Sequence, residues 1–125
     1  MKLRIRDNSI RLRLTRSEVD TCGRGLAVVA STAFGPDATL QYSLIPADVD
    51  ELSARFDDQG IAILLPHALA SAWAVTAQVS ITGEQRVPGG VLQLLIEKDF
   101  ACLSPREGDD DNDTFAHPQQ GQSAC

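Results

Sequence analysis

The segment NSIRLRLTRSE, residues 8–18, decides the fold because it places a strand directly before a helix. Apolar and basic residues alternate in its first part, in the order Ile10, Arg11, Leu12, Arg13 and Leu14. This alternation predicts a β-strand with one buried face. Thr15 and Glu18 then have the spacing of a capping box, in which each side chain bonds the other residue's backbone N–H. A short helix is therefore predicted to begin at this point.

The flanking residues extend this unit in both directions. Upstream, Leu3 and Ile5 alternate with basic residues and predict another strand. The turn-forming residues 7–9 separate the two strands, which are therefore predicted to form a hairpin. Downstream, Gly23 and Gly25 are expected to end the helix. Residues 26–34 and 40–44 are predicted as two further strands around a turn at residues 35–37.

The second half of the chain repeats the order strand, strand, helix, strand, strand. Through most of its length it lies at an offset of 51, which places Val28 on Val79, and after the second turn the offset becomes 52. Alternating strands also align by chance, but the shared order of elements and turns favours an internal duplication. In the second helix, Leu69 and Trp73 are four residues apart and are predicted to share the buried face.

Length and composition limit the class of protein. The 125 residues leave no room for two independent cores, so residues 1–104 are predicted to form one domain of two halves, 2–46 and 52–103. No apolar run approaches about 18 residues, and no apolar stretch follows the N-terminal cations as in a signal peptide. Three widely spaced cysteines do not make a disulfide framework. These features predict a soluble, cytoplasmic protein.

Two segments carry a resemblance to a known architecture. Residues 8–15, leading into a helix, resemble the first hairpin and helix of the swapped-hairpin DNA-binding proteins of the AbrB and MazE kind. Residues 63–66, followed by a helix and residues 79–81, resemble the same unit. In that family two such units, normally from two chains, interleave into one barrel. The resemblance implies an α+β, mostly β fold in which tandem ββαββ units form one small antiparallel barrel within a single chain, which makes a monomer plausible.

A second resemblance covers nearly the whole chain. The opening MKLRIR of residues 1–6, with residues 8–15 and 17–19, is similar to an uncharacterised family of small bacterial proteins. The close is similar as well, through LIEKDF at residues 95–100, residues 102–106, the acidic run and the terminal Cys125. That family has no assigned activity, so the resemblance implies a bacterial origin and little about mechanism.

The N-terminal hairpin carries a candidate binding surface. Alternation places five cations on one face of the two strands: Lys2, Arg4, Arg6, Arg11 and Arg13. Their spacing suits phosphates, and in the DNA-binding relatives the corresponding hairpin carries contacting basic residues. A solvated or internally paired face is the alternative. The hairpin of the second half has only Arg55, and the whole chain has a net charge of −6.

The C-terminal residues 105–125 are predicted to form an acidic, disordered tail. Residues 1–24 have a net charge of +4, whereas residues 106–125 have a net charge of −4 and one apolar anchor, Phe115. The acidic residues of a possible tail site are Asp109, Asp110, Asp111 and Asp113. Weak zinc candidates, without the paired spacing of zinc sites, are Cys102, His117 and Cys125, and no metal is predicted. Cys102 and Cys125 are also candidates for a disulfide, and Cys22 is predicted to be a small buried side chain.

No catalytic constellation is found. The chain has no glycine-rich phosphate loop and no nucleophile elbow, and His67 has no nucleophile near it in sequence. Glu97 and Asp99 are interpreted as a solvated strand end. The prediction is a protein without enzymatic activity or cofactor, and two functions are considered. The first is a protein-interaction or scaffold module with an unknown protein partner. The alternative is a nucleic-acid-binding regulator, in which the basic hairpin holds DNA or RNA phosphates and the acidic tail competes for that face.

Overall fold

The computed structural model describes residues 1–100 and 113–115. Its elements, in chain order, are β1 (Lys2–Arg6), β2 (Ser9–Leu14), α1 (Arg16–Gly23), β3 (Val28–Gly35), β4 (Ala38–Ala47), β5 (Ser53–Asp57), β6 (Gly60–Pro66), α2 (His67–Val75), β7 (Ser80–Val87) and β8 (Gly90–Lys98). Each half therefore has the predicted order of two strands, a helix and two strands. The α+β, mostly β class is confirmed, while the boundary predicted at residue 104 lies outside the described residues.

The two halves exchange hairpins. Sheet A has the strand order β1-β2-β8-β7, and sheet B has the order β3-β4-β6-β5. Each sheet thus combines one hairpin from each half of the chain. The hairpins are antiparallel, and they are joined in the middle of each sheet by a parallel pair, β2 with β8 in sheet A and β4 with β6 in sheet B. Neither half forms a sheet from its own strands alone.

The core lies between the sheets and is centred on these parallel pairs. Leu12 is in register with Ile96, and Leu44 is in register with Ile63. All four side chains are at most 1% exposed. A large aliphatic cluster surrounds them, and α1 and α2 complete it with Val19, Cys22, Ala70 and Trp73. Burial of this apolar surface is the main stabilising contribution to the fold.

The predicted capping box is present at the start of α1. The backbone N–H of Thr15 donates to Glu18 Oε1 at 2.9 Å, and the N–H of Glu18 donates to Thr15 Oγ1 at 3.4 Å. Glu18 also binds the N-terminal ammonium group of Met1 at 2.7 Å, so the cap fixes the start of β1 as well. Neither helix among the described residues has the length and apolar character needed to cross a membrane.

The single barrel implied by the swapped-hairpin resemblance is not what the structure shows. In residues 1–100 and 113–115, no backbone ladder joins sheet A to sheet B. Between β5 and β7, the side chain of Gln85 takes the place of a ladder. Its Oε1 accepts from the N–H of Ala54 at 2.6 Å, and its Nε2 donates to the carbonyl of Ala54 at 3.1 Å. Because a side chain spans this gap, the two backbones are too far apart to bond directly.

The predicted match of Val28 with Val79 is wrong by two residues. Val28 lies opposite Leu44, and Ile81 lies opposite Ile96. Since Leu44 and Ile96 occupy equivalent central positions, the counterpart of Val28 is Ile81. The offset rises between the start of the helix and this position in the next strand, where the second half has two more residues than the first. It then falls by one because the register of β3 shifts between Ala33 and Gly35, which inserts one extra residue into that strand.

The predicted pairing of Leu69 with Trp73 on a buried helix face is also wrong. Trp73 is fully buried and its Nε1 donates to the carbonyl of Val79 at 3.1 Å, but Leu69 is 41% exposed. Ala70 is buried instead, at 1% exposure. The reason is the close approach of α1, since a Cβ added to Gly23 would lie 2.3 Å from the Cβ of Ala74. The face of α2 that contacts α1 therefore carries the small residues Ala70 and Ala74, and the larger Leu69 lies outside this contact.

We expect Gly23→Ala to destabilise the protein by about 1–3 kcal/mol, because the new methyl group must push the two helices apart. Urea unfolding followed by Trp73 fluorescence measures this change. Gly35→Ala is the matched control, since nothing lies within 4 Å of its added Cβ, and it is expected to change the free energy of unfolding by less than about 0.5 kcal/mol. Equal stability of the two variants would contradict the close helix contact.

Candidate binding surface

The strand register brings the five predicted cations together on the outward side of sheet A. Lys2 lies opposite Arg13, and Arg4 lies opposite Arg11, in the antiparallel pair of β1 and β2. Alternate residues of β2, such as Leu12, point inward and are buried. We define the basic face as the outward surface formed by Lys2, Arg4, Arg6, Arg11 and Arg13.

Two acidic residues, one at the end of β8 and one just after it, neutralise part of the basic face. The parallel pairing places Glu97 beside Arg13, and Oε1 of Glu97 accepts from Nε of both Arg11 and Arg13 at 2.7 Å. The Glu97 side chain is only 14% exposed, so it is enclosed between the two guanidinium groups. Lys2 Nζ lies 3.1 Å from Asp99 Oδ2. Glu97 and Asp99 are therefore not the solvated strand end that was predicted from sequence.

Arg4 and Arg6 differ from the other three cations. Both are exposed, and neither forms an ion pair with any residue in the described part of the chain. They line a groove of about 340 Å³ on the outward surface of sheet A, together with Arg11, Thr82 and Leu95. The groove combines positive charge at one edge with polar and aliphatic groups along its floor. Such a surface fits an anionic side chain that also has aliphatic carbons.

The corresponding hairpin in sheet B has no such face. The counterpart of Arg4 at the offset of 51 is Arg55, whose Nε lies 3.3 Å from Asp57 Oδ2. Asp57 itself occupies the position that corresponds to Arg6. Of the two corresponding hairpins, only that of sheet A therefore carries the positive surface among the described residues.

Part of the predicted tail packs against the end of sheet A. The N–H of Arg16 donates to the carbonyl of Asp113 at 2.9 Å, and the N–H of Ser17 donates to Asp113 Oδ1 at 3.0 Å. The Ser17 hydroxyl donates to the other oxygen of the same carboxylate. The hydrogen bond from the Ser17 hydroxyl has the largest effect on the pKa of Asp113, and with the bond from the Ser17 N–H it lowers that pKa. Asp113 thus satisfies backbone donors in the first turn of α1.

Phe115 holds the same segment in place. Its N–H donates to the carbonyl of Asp99 at 2.9 Å, and its ring meets Phe100 edge-on with centroids 5.9 Å apart. Arg16 and Lys98 lie over the ring, 5.0 Å and 5.2 Å from its centroid. We call these interactions of residues 113–115 the tail contact. Asp109, Asp110 and Asp111 lie outside the described residues, so the disorder of the tail and its competition for the basic face stay predictions.

A comparison with protein families agrees with the similarity found in the sequence. The model of a family of unknown function matches residues 1–119. The chain belongs to the family DUF7009. No curated protein and no solved structure matches it. The match spans both sheets and the tail contact, so the whole arrangement belongs to the DUF7009 part of the chain.

The remaining candidate residues of the DUF7009 region are separated. Cys22 is fully buried on α1, as predicted, and burial raises its pKa to about 11. His67 is exposed at the start of α2. Cys102, His117 and Cys125 lie outside the described residues, and so does the disulfide considered for the two cysteines. Among residues 1–100 and 113–115, no three metal-ligating side chains come together.

Sequence reasoning missed one buried charged residue on the inward side of β8, Lys98. Its Nζ donates to the carbonyl of Thr76 at 2.8 Å. Burial and then the nearby charge of Arg16 lower its pKa. The inward alternation of β8 was the available signal, since Lys98 follows Leu94 and Ile96 at a spacing of two.

We expect Asp113→Ala to release the tail contact from α1. The amide of Ser17 then loses its carboxylate acceptor, and the amide of Arg16 loses the carbonyl of residue 113 as the segment moves away. The hydrogen exchange of both amides is expected to accelerate about tenfold or more. The amide of Val19 is the internal control, because it donates to the carbonyl of Thr15 at 2.9 Å in either case. Unchanged exchange at Arg16 and Ser17, measured by NMR, would count against the contact.

The same contact has a defined pH dependence. Because the pKa of Asp113 is lowered in the folded protein from the ordinary value of 3.8, its stabilising contribution is present above that value. The contribution is lost as the pH falls through the lowered pKa. In the unmodified protein, we expect the Ser17 amide to exchange slowly above pH 3.8 and to lose this protection as the pH falls through the lowered pKa of Asp113. NMR measures this exchange.

Proposed function

We propose that this chain is a non-enzymatic protein-interaction module, in which the basic face binds an extended acidic segment of a partner protein. The observation that carries the proposal is the environment of Glu97. Arg11 and Arg13 enclose its carboxylate between them, at 2.7 Å from each Nε. The basic face thus already holds one carboxylate with two arginines of a single strand.

Arg4 and Arg6 repeat this arrangement on the neighbouring strand. Like Arg11 and Arg13, they are two residues apart on one face, which places their Cα atoms about 7 Å apart. The described part of the chain supplies no carboxylate to them. A glutamate or aspartate of a partner protein then binds between Arg4 and Arg6 as Glu97 binds between Arg11 and Arg13. Charge-assisted hydrogen bonds of this kind are stronger than neutral ones.

The groove defines the rest of the ligand. Thr82 and Leu95 lie on its floor beside the arginines. In an extended peptide, alternate side chains point toward one surface, so a segment with acidic residues at every second position presents several carboxylates to the basic face. The aliphatic carbons of its glutamate side chains pack against Leu95 in the groove.

The pairing on the basic face favours this function over the nucleic-acid-binding alternative. Three of the five cations already contact carboxylates, through Glu97 and Asp99. A phosphate backbone gains affinity mainly by neutralising its charges with free cations. Here it would have to displace two acidic residues to contact all five. The hairpin exchange supports an architectural likeness to the AbrB and MazE proteins, but a likeness of fold carries no activity.

The direct test measures binding of the full chain to two fluorescent probes. One is a ten-residue peptide that alternates glutamate and threonine, and the other is a random-sequence DNA duplex. We expect the variant Arg4→Ser/Arg6→Ser to bind the peptide about tenfold more weakly or worse, equivalent to about 1.4 kcal/mol. Arg55→Ser is the matched control, because it removes the counterpart of Arg4 from the other sheet, and it is expected to bind normally.

The probes separate the two functions. Binding of the peptide but not of its glutamine analogue, lost in the Arg4/Arg6 variant only, supports the proposal. Binding of the duplex with a steep salt dependence, and no binding of the peptide, transfers the function to nucleic acid. An equal loss in Arg55→Ser, or no binding to either probe, contradicts the proposed site.

A second variant is expected to strengthen binding. Glu97→Gln leaves Arg11 and Arg13 without their internal carboxylate, so we expect the affinity for the acidic peptide to rise about fivefold, equivalent to about 1 kcal/mol. Asp58→Asn changes the net charge equally. Asp58 lies in the turn between β5 and β6, on the other sheet, so it serves as the control. If both variants gain equally, net charge rather than the release of two arginines explains the effect.

A further inference from the structure

Strand β3, on the sheet that does not carry the basic face, is an exposed edge with no charged residue. Among residues 1–100 and 113–115 it is the outer strand of sheet B and pairs with β4 alone. Residues 25–36, which contain it, have no acidic or basic side chain. The other three edge strands all carry charges: Lys2, Arg4 and Arg6 in β1, Arg55 and Asp57 in β5, and Glu84 and Arg86 in β7. Charged residues on edge strands commonly prevent association with other chains, and β3 lacks this protection.

Large apolar side chains are exposed along the same segment. Val29 is 57% exposed, and Phe34, at the shift in register of β3, is 73% exposed. Leu26, just before the strand, is 55% exposed. An exposed, uncharged edge with apolar side chains at both ends is typical of a surface that pairs with another strand.

The two halves differ at this edge. The edge of β7 is bridged to β5 of the other sheet, whereas the equivalent edge of β3 is open in the described part of the chain. Gln85 of β7 bonds both backbone groups of Ala54 in β5. By the register of the two sheets, the counterpart of Gln85 in β3 is Thr32, and the counterpart of Ala54 is Leu3 in β1. Thr32 makes no such bond in the described part of the chain, and no backbone hydrogen bond there joins the outer edge of β3 to another element.

We propose that β3 pairs with β3 of a second copy of this chain, antiparallel and about a two-fold axis, so that the two copies of sheet B become one eight-stranded sheet. In a two-fold contact each surface faces the same surface of the other copy, and only residues at the axis meet their own counterparts. For β1 this arrangement would bring arginine against arginine, whereas for β3 it brings only neutral side chains together. The chain has a net charge of −6, so a neutral segment is also where two copies approach with the least repulsion.

The position of the apolar side chains matches a two-fold axis near Ser31. Antiparallel pairing about that residue places the Phe34 end of one strand beside the Val28 end of the other. Phe34 of each copy then lies close to Leu26 of its partner copy, and these two exposed residues are covered together. The exchange of hairpins within one chain already completes each sheet, so this pairing is an addition to a fold that needs no second chain. It replaces the monomer implied by the swapped-hairpin resemblance.

Sedimentation equilibrium of the full chain tests the proposal. We expect the unmodified chain to sediment at twice 13.4 kDa at high concentration. Ser31→Lys places two like charges together at the two-fold axis, so its dimer is expected to dissociate at a concentration about tenfold higher or more. Gln41→Lys is the matched control. Gln41 pairs with Ser31 in register but lies on β4, one strand inside the edge, and its variant is expected to dimerise normally.

Each outcome decides the proposal. A dimer that is lost in Ser31→Lys and kept in Gln41→Lys supports edge pairing. A dimer that both variants lose reflects packing of the outer faces of sheet B, and a dimer that both keep lies elsewhere. Either result overturns the proposal, as does a monomer up to about 1 mM. Circular dichroism verifies that the variants are folded, and Ala33→Lys, also on the exposed part of β3, replaces Ser31→Lys if that variant does not fold. Peptide binding at the basic face is measured independently, on the other sheet.

Discussion

The parallel pairing of β2 with β8, and of β4 with β6, is the constraint on which the other features of the molecule depend. It brings Leu12 against Ile96 and Leu44 against Ile63, and these side chains form the centre of the core. A two-stranded hairpin with one apolar face is at best marginally stable in water. Each hairpin therefore gains its stability from a hairpin of the other half, and the exchange makes one domain out of two similar sequences.

The same exchange explains where the two halves have diverged. In sheet A, the parallel pairing delivers Glu97 to Arg11 and Arg13, so a basic hairpin is balanced by an acidic residue from the other end of the chain. In sheet B, Arg55 binds Asp57 of its own strand. The bridge from Gln85 to Ala54 has no equivalent at Thr32 among the described residues. The two halves thus share the buried pattern, while each exposed face has its own chemistry.

Local patterns in the sequence were sufficient to predict the elements and the hairpin of β1 with β2, but not the contacts between hairpins. The alternation around Leu12 and the capping box of Thr15 and Glu18 act within a few residues, and both are present as predicted. The ion pairs of Glu97 join residues 84 and 86 positions apart, which no local pattern reveals. The extra residue near Phe34 and the choice of Ala70 over Leu69 depend on backbone contacts with a neighbouring element, so they also became visible only in the folded chain.

The order of strands along the chain has a consequence for how the protein is made. Sheet B consists of β3, β4, β5 and β6, which are consecutive, so all of its pairing partners lie within residues 28–66. Sheet A instead joins residues near the N-terminus to β7 and β8. During synthesis, all four strands of sheet B are present once Pro66 has been added. Strands β1 and β2 lack their partner β8 until Lys98 has been added. Contacts between residues so distant in sequence are the slow ones in folding. The newly made N-terminal hairpin therefore spends this interval with its apolar face uncovered, the period in which a nascent chain is most exposed to aggregation.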